Sequence, residues 1–332
     1  MGGEPGHTPG AARLIRGARM QQITGGVTTR RRIALLALVA VMVVWGSTFV
    51  VTKAAMREFP PLTLAFLRFA IATMVLAPLM RRSALVELRR SASTGRLLFL
   101  AFTGIALFTA GFNFALVYGS AAQGALLYAT IPAVVAICAV LFLKERLSRR
   151  RIFGIALSMA GAALIVASGE AGAGDAPAPL LAAALMLFTV VLWGAYTVVA
   201  KPIAAANQSA VTFALSAIGA LLLLPPSAFE IAALGWPTAT AQGWVGVIYL
   251  AVFASAGAYA LYNFALRELD ASTVGAFTNI DPLVGVMTAF LFLGETLSPV
   301  QFGGAAIVIV GMWLASTEAR RAPSRRQNSR AT

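Results

Sequence analysis

Cysteine and histidine are nearly absent from this 332-residue chain: Cys138 and His7 are the single examples. One cysteine excludes an intrachain disulfide. One histidine, placed in a Gly/Pro-rich stretch, excludes a zinc site of ordinary ligands and a serine triad. Charge is scarce as well. Only 11% of residues are charged and 59% are hydrophobic, against about a quarter charged in soluble domains. Such a chain cannot cover its apolar surface with charge, so lipid is its fitting solvent. Acidic residues number 12 against 26 basic ones, a net charge of +14. A basic excess points to nucleic acid when it forms one face. Here the arginines sit in short runs between apolar stretches, so no nucleic-acid partner is expected.

The apolar stretches lie at 33–52, 62–80, 97–118, 122–143, 152–169, 179–200, 209–226, 243–266, 272–293 and 300–317. Each approaches the length that carries a helix across a hydrocarbon core of about 30 Å. Continuous apolar runs, rather than alternating ten-residue strands, favour helices over a β-barrel. The expected fold is therefore an all-α integral membrane protein of ten transmembrane helices. The first stretch follows Arg30-Arg31-Arg32 and is too long for a signal-peptide core, so it reads as an uncleaved first span, with Met20 as an alternative start. Residues 1–32 read as a disordered basic tail, 170–178 as a linker and 318–332 as a second basic tail. With the N-terminus in the cytoplasm, 23 of the 26 basic residues fall on cytoplasmic segments. Lys53 and Arg57 face outward and Arg68 lies within a span. This bias places both termini in the cytoplasm of a multi-pass inner-membrane protein.

The chain repeats itself. Asn113-Phe114-Ala115-Leu116 returns as Asn263-Phe264-Ala265-Leu266, and Pro132 returns as Pro282. The segment Leu141-Phe142-Leu143-Lys144-Glu145-Arg146-Leu147-Ser148 returns as Leu291-Phe292-Leu293-Gly294-Glu295-Thr296-Leu297-Ser298. Of the 53 positions from 112 to 164, 18 are identical to the position 150 residues later. Upstream, Trp45-Gly46 and Lys53 return as Trp193-Gly194 and Lys201. Residues 33–169 and 179–317 are thus duplicated halves of five spans each. An odd span count forces the second half into the membrane upside down. Inverted repeats of this kind place a substrate site near the midplane between the halves.

Trp45-Gly46-Ser47-Thr48-Phe49-Val50 with Lys53, Leu62 to Phe69 with Arg68, and the duplicated Pro-then-Leu-Phe-Leu-x-Glu-x-Leu-Ser segments resemble the drug/metabolite transporter superfamily, EamA type. The resemblance covers about residues 33–317. It implies a ten-helix, gradient-driven carrier of small metabolites in the bacterial inner membrane, with export the direction favoured by analogy. The second half departs from the pattern at Lys201-Pro202 and at Ser216, which replaces Arg68.

Polar groups inside spans are costly and mark candidate sites. Asp281 stands before Pro282, which breaks the helix ladder as Pro132 does in the first half. Its carboxylate can take a proton or a substrate amine; the alternative is a fixed pair with Arg68. Arg68 can bind a substrate carboxylate, or snorkel. Trp45, Asn113, Tyr128, Trp193, Tyr196, Tyr259, Asn263 and Asn279 are candidate cavity-lining residues, with helix packing as the alternative. Gln123 is a weaker one. Glu145 and Glu295 end spans four and nine on opposite faces, where a carboxylate can accept bonds from another helix end and act as a gate. No cofactor is expected. An intramembrane protease would need a second buried Asp or a buried Lys, and Lys53 and Lys201 fall at span ends. Nothing resembles a channel filter. The expected function is secondary transport of an amino acid, amine or related metabolite. A phosphosugar or nucleotide-sugar exchanger is the alternative, disfavoured because phosphate needs several cavity cations; a membrane scaffold is a further one.

Overall fold

The protein is seen in a computed structural model that describes residues 9–144, 147–168, 177–200, 203, 207–269, 277–278 and 280–316, with side chains for all of these except 9–28, 139, 143, 263, 266–267 and 315–316. Twelve helical segments follow in order: α1 (Pro9–Ala55), α2 (Pro61–Leu76), α3 (Arg82–Ser91), α4 (Thr94–Tyr118), α5 (Ala121–Tyr128), α6 (Ile131–Leu143), α7 (Arg149–Ala167), α8 (Pro179–Ala200), α9 (Gln208–Leu234), α10 (Ala241–Ile248, continuing to Ala258–Glu268), α11 (Ile280–Leu293) and α12 (Pro299–Ser316). Eight stretches are long and apolar enough to cross a membrane, and Ile280–Leu293 and Pro299–Leu314 are shorter apolar helices. Large side chains such as Leu36, Leu141, Phe229, Phe292 and Phe302 face outward, as lipid contact requires.

Three sequence expectations change. Residues 9–32, read as a disordered tail, continue the helix of the first span; Ala, Leu, Arg, Met and Gln there are good helix formers. Span four is discontinuous: α5 ends at Tyr128, and α6 restarts at Ile131 with Pro132 in its first turn. Pro282 likewise stands in the first turn of α11, not in the middle of a helix. A proline there removes an N–H that has no intrahelical acceptor anyway, so both prolines mark helix starts.

The duplicated motif has a local mechanical meaning. Lys144 (φ 54°) and Gly294 (φ 65°) occupy the same repeat position and share the left-handed conformation that ends a helix. Ser148 caps α7 by accepting from Arg151 N. Ser298 and Gln301 form a reciprocal capping box at the start of α12.

The packing follows a pseudo-twofold pattern. Helix α1 lies on α11 as α8 lies on α6, and α1 lies on α10 as α8 lies on α4. Counterpart spans meet across the axis: α2 packs with α9, α7 with α12, and span four, by its first piece α5, with α11 of span nine. The fold is two inverted five-span repeats. The α7–α12 contact depends on glycine: a Cβ on Gly311 would run into the Ser158 backbone nitrogen and meet Gly154 O at 2.7 Å. Gly46 plays the same part against α11, where a Cβ would meet Asp281 O at 2.6 Å, and Gly194 packs on Val134 and Cys138. The repeated Trp-Gly pair is thus a close-approach point in each half. Gly311→Ala is expected to destabilise the protein by about 1–3 kcal/mol. Gly303→Ala, which meets nothing within 4 Å, should be neutral or stabilising by about 0.5–1 kcal/mol. Thermal unfolding of the two variants in detergent checks the contrast.

Candidate functional site

Two widened helical turns build the centre of the molecule. Phe102–Ala106 in α4 and Tyr249–Gly257 in α10 are π-helical and occupy matching places in the two repeats. A π turn releases carbonyls from the ordinary ladder, and such turns concentrate at functional sites. In α10 the released groups are used at once. Ala254 O accepts from Trp45 Nε1 at 3.0 Å, and Leu250 O accepts from the Ser255 hydroxyl at 2.9 Å. With its proton committed, Ser255 Oγ accepts from Arg68 Nε at 2.9 Å. Arg68 also lies 5.3 Å from the Phe69 ring centroid. Its Nη groups donate to no protein acceptor among the described residues.

Asp281 enters from the other half, in the first turn of α11, 8% exposed and with Oδ1 lacking a hydrogen-bond partner. Among the described residues neither Arg68 nor Asp281 forms an ion pair. Gly46, beside Trp45, packs against the Asp281 carbonyl, and Trp45 is bonded to Ala254, the neighbour of Ser255. Aromatic rings pack around these groups. Trp45 packs on Tyr259 at 5.6 Å and on Tyr262 at 5.3 Å. Trp193 stacks on Tyr196 at 5.1 Å and meets Phe108 at 5.4 Å. Phe49, Phe108 and Phe112 surround Tyr128.

The structure therefore brings together Trp45, Arg68, Tyr128, Trp193, Tyr196, Tyr259 and Asp281. Asn113 stands apart: its Nδ2 donates to Pro61 O at 2.8 Å, tying α4 to the start of α2. Gln123 is buried in the first turn of α5. Glu295 lies at a helix end on the membrane face, hydrogen-bonded to Lys53 Nζ at 2.8 Å. Glu145, Asn279 and the side chain of Asn263 lie outside the described residues, as do Lys201, most of the 170–178 linker and the 318–332 tail. Sequence reasoning missed Ser255, the Ser47–Tyr249 hydroxyl bond of 2.7 Å, and Phe49 and Phe108. The available signal for Ser255 was its place in Ala254-Ser255-Ala256-Gly257, a run of small residues within a span.

Chemically, the arrangement offers one unpaired cation and one unpaired carboxylate among aromatic faces. The EamA-like transporter family matches residues 32–167 and again 180–317. The chain belongs to that family. It is a multi-pass membrane transporter and not an enzyme. Similar proteins include the uncharacterised transporter YetK of Bacillus subtilis, 28% identical over 87% of this chain and 89% of that one. A probable terminal-alkyne amino-acid exporter of Streptantibioticus cattleyicolor is 29% identical over 89% of this chain and 96% of its own. A probable amino-acid metabolite efflux pump of Escherichia coli is 28% identical over 86% and 94%. One solved crystal structure shares the fold, with TM-score 0.59 and 20% identity, covering 88% of this chain and 99% of that one.

The bonds of Ser255 and Asn113 lead to different expectations. Ser255→Ala frees Arg68 Nε, and the loss of a bond to a charged group should weaken substrate affinity about tenfold. Asn113→Ala should lower stability by about 1–2 kcal/mol with affinity unchanged. Tryptophan-fluorescence quenching across an amino-acid panel, beside a melting curve, reads both.

Proposed function

We propose that this protein exports an amino acid or closely related zwitterionic metabolite across the bacterial inner membrane by alternating access. The observation that carries this reading is that Arg68 and Asp281, contributed by opposite halves, flank the same Trp45-Gly46 step without pairing: Arg68 is held by Ser255, next to the Ala254 carbonyl that accepts from Trp45, and the Asp281 backbone packs on Gly46. A zwitterion satisfies both: its carboxylate receives the free Nη groups and its ammonium faces the orphaned Oδ1 of Asp281. Two relatives bear the names of amino-acid efflux proteins, which supports the class and the direction. A phosphorylated cargo would need more positive charge than Arg68 alone brings to the described centre.

Asp281 also supplies a coupling device. A carboxylate that holds either a proton or a substrate ammonium, but not both, exchanges one for the other across the membrane. The arginine-rich segments are taken as cytoplasmic, which puts the ends bearing Glu58, Glu230 and Glu295 in the periplasm. Reporter fusions after Arg321 and within 81–96 should behave as cytoplasmic; a periplasmic C-terminus overturns this orientation.

Transport by proteoliposomes tests the mechanism. Asp281→Asn should abolish accumulation driven by an imposed proton gradient. Arg68→Gln should weaken amino-acid counterflow about ten- to a hundredfold, the range expected for charged hydrogen bonds, while sparing amines that lack a carboxylate. A wild type indifferent to the gradient overturns coupling. Equal loss for amino acids and amines in Arg68→Gln overturns its assignment to the carboxylate.

A further inference from the structure

Three carboxylates on one membrane face hold helix starts that are not their own. Glu295 accepts from Ala121 N at 3.0 Å and Ala122 N at 2.8 Å, the first amides of α5. Glu230 accepts from Leu62 N at 3.2 Å, Thr63 N at 2.7 Å and Thr63 Oγ1 at 2.7 Å, at the start of α2. Glu58 accepts from Thr240 N at 2.6 Å and Thr240 Oγ1 at 2.9 Å, at the start of α10. Lys53 adds a bridge, donating to Glu295 Oε1 and to Gly119 O, each at 2.8 Å.

Every one of the carboxylate bonds crosses between the halves; only the Lys53–Gly119 contact stays within the first. Glu295 and Glu230 belong to the second half and hold amides of the first; Glu58 belongs to the first and holds the second. Local caps occur on both faces, Ser93, Ser148 and Asn207 on the opposite one and Ser120, Thr240 and Ser298 on this one, but inter-half carboxylate caps are found, among the described residues, on this face. Where α2 begins, Pro60 offers no side-chain cap, so its free amides depend on Glu230. Helix-start N–H groups have no intrahelical acceptor and carry partial positive charge. A carboxylate satisfies them strongly, yet water can replace it once the surfaces part. Such contacts can close a face firmly and still release it, because opening exchanges hydrogen bonds instead of orphaning them.

We propose that Glu58, Glu230 and Glu295, with Lys53, form a reversible latch that closes this face. All three exchanges must let go for the face to open to the periplasm. Glu295 is the central member: it joins α5, the end of α1 and the end of α11, and it is 4% exposed. Lys53 and Glu295 are thereby positioning residues that set which face is open, without touching the central Arg68–Asp281 site. The inference goes beyond the substrate assignment and does not depend on it.

The test uses the full-length protein in right-side-out membranes, with Cys138→Ala removing the native thiol. Gln123→Cys places a reporter in the same helical turn as the capped amides, at a residue only 2% exposed. Labelling by a membrane-impermeant maleimide should be slow in this parent. Glu295→Gln should speed it about tenfold, the shift expected from losing charge-assisted bonds. Glu230→Gln and Glu58→Gln should each speed it to a smaller degree. Ala136→Cys, buried in α6 away from the latch, should keep its rate toward a permeant maleimide in every background. Should Glu295→Gln fail to reach the membrane, Lys53→Gln reads the same equilibrium, because it removes the ion pair and leaves both amide caps. Unchanged Gln123→Cys labelling in all the variants overturns the latch. An equal rise at Ala136→Cys also overturns it, since that outcome is general loosening. Failure of either kind leaves the orientation to the reporter fusions and the substrate class to counterflow.

Discussion

A buried backbone amide without an acceptor is the state this protein must avoid, and much of its detail follows from that. Hydrocarbon offers no hydrogen bonds, so the chain crosses it as helices whose ladders close on themselves. The exceptions are the helix starts and the widened turns, and these are where polar side chains gather. Serines, threonine and asparagine cap the starts from within the same segment. Carboxylates from the other half hold the starts of α2, α5 and α10. The carbonyls released by the π turn of α10 hold Trp45 and Ser255, and through Ser255 they orient Arg68. The proposed gate and the proposed site are two outcomes of one requirement.

The second organising constraint is close approach. Helices α7 and α12 meet backbone to backbone at Gly311, and α1 reaches the backbone of Asp281 at Gly46. A side chain at either place would part the halves. Gly46 therefore matters to the site as well as to the fold, since it sets how near α1 comes to the carboxylate-bearing turn.

Duplication supplies the scaffold, and divergence supplies the chemistry. Lys144 and Gly294 keep one conformation with different residues. Arg68 faces the site from the first half, whereas its counterpart Ser216 is a buried neutral group. Asp281 does so from the second half, whereas its counterpart is Ile131. The centre is thus polar along one direction, positive from one repeat and negative from the other. A symmetric pair of repeats would bring either two cations or two carboxylates to the axis, and neither would suit a ligand bearing both charges.

Sequence alone determined the solvent, the span count and the inverted duplication, because each is a statement about composition, length and periodicity along the chain. It also marked Arg68 and Asp281, since charge inside an apolar run is visible without coordinates. The tertiary structure decided what those residues do with one another. Whether they pair depends on the angle at which α2 and α11 approach, which local sequence does not encode. Asn113 was legible as a buried amide, but its bond to Pro61 O depends on a helix 52 residues away. Ser255 stayed hidden because one hydroxyl among small residues reads as packing until the π turn aims it. Glu58 and Glu230 stayed hidden because a carboxylate at a span end reads as solvated. Only the assembled bundle brings each of them against the unpaired amides of the other half, where a charge at the water's edge becomes a contact holding two halves together.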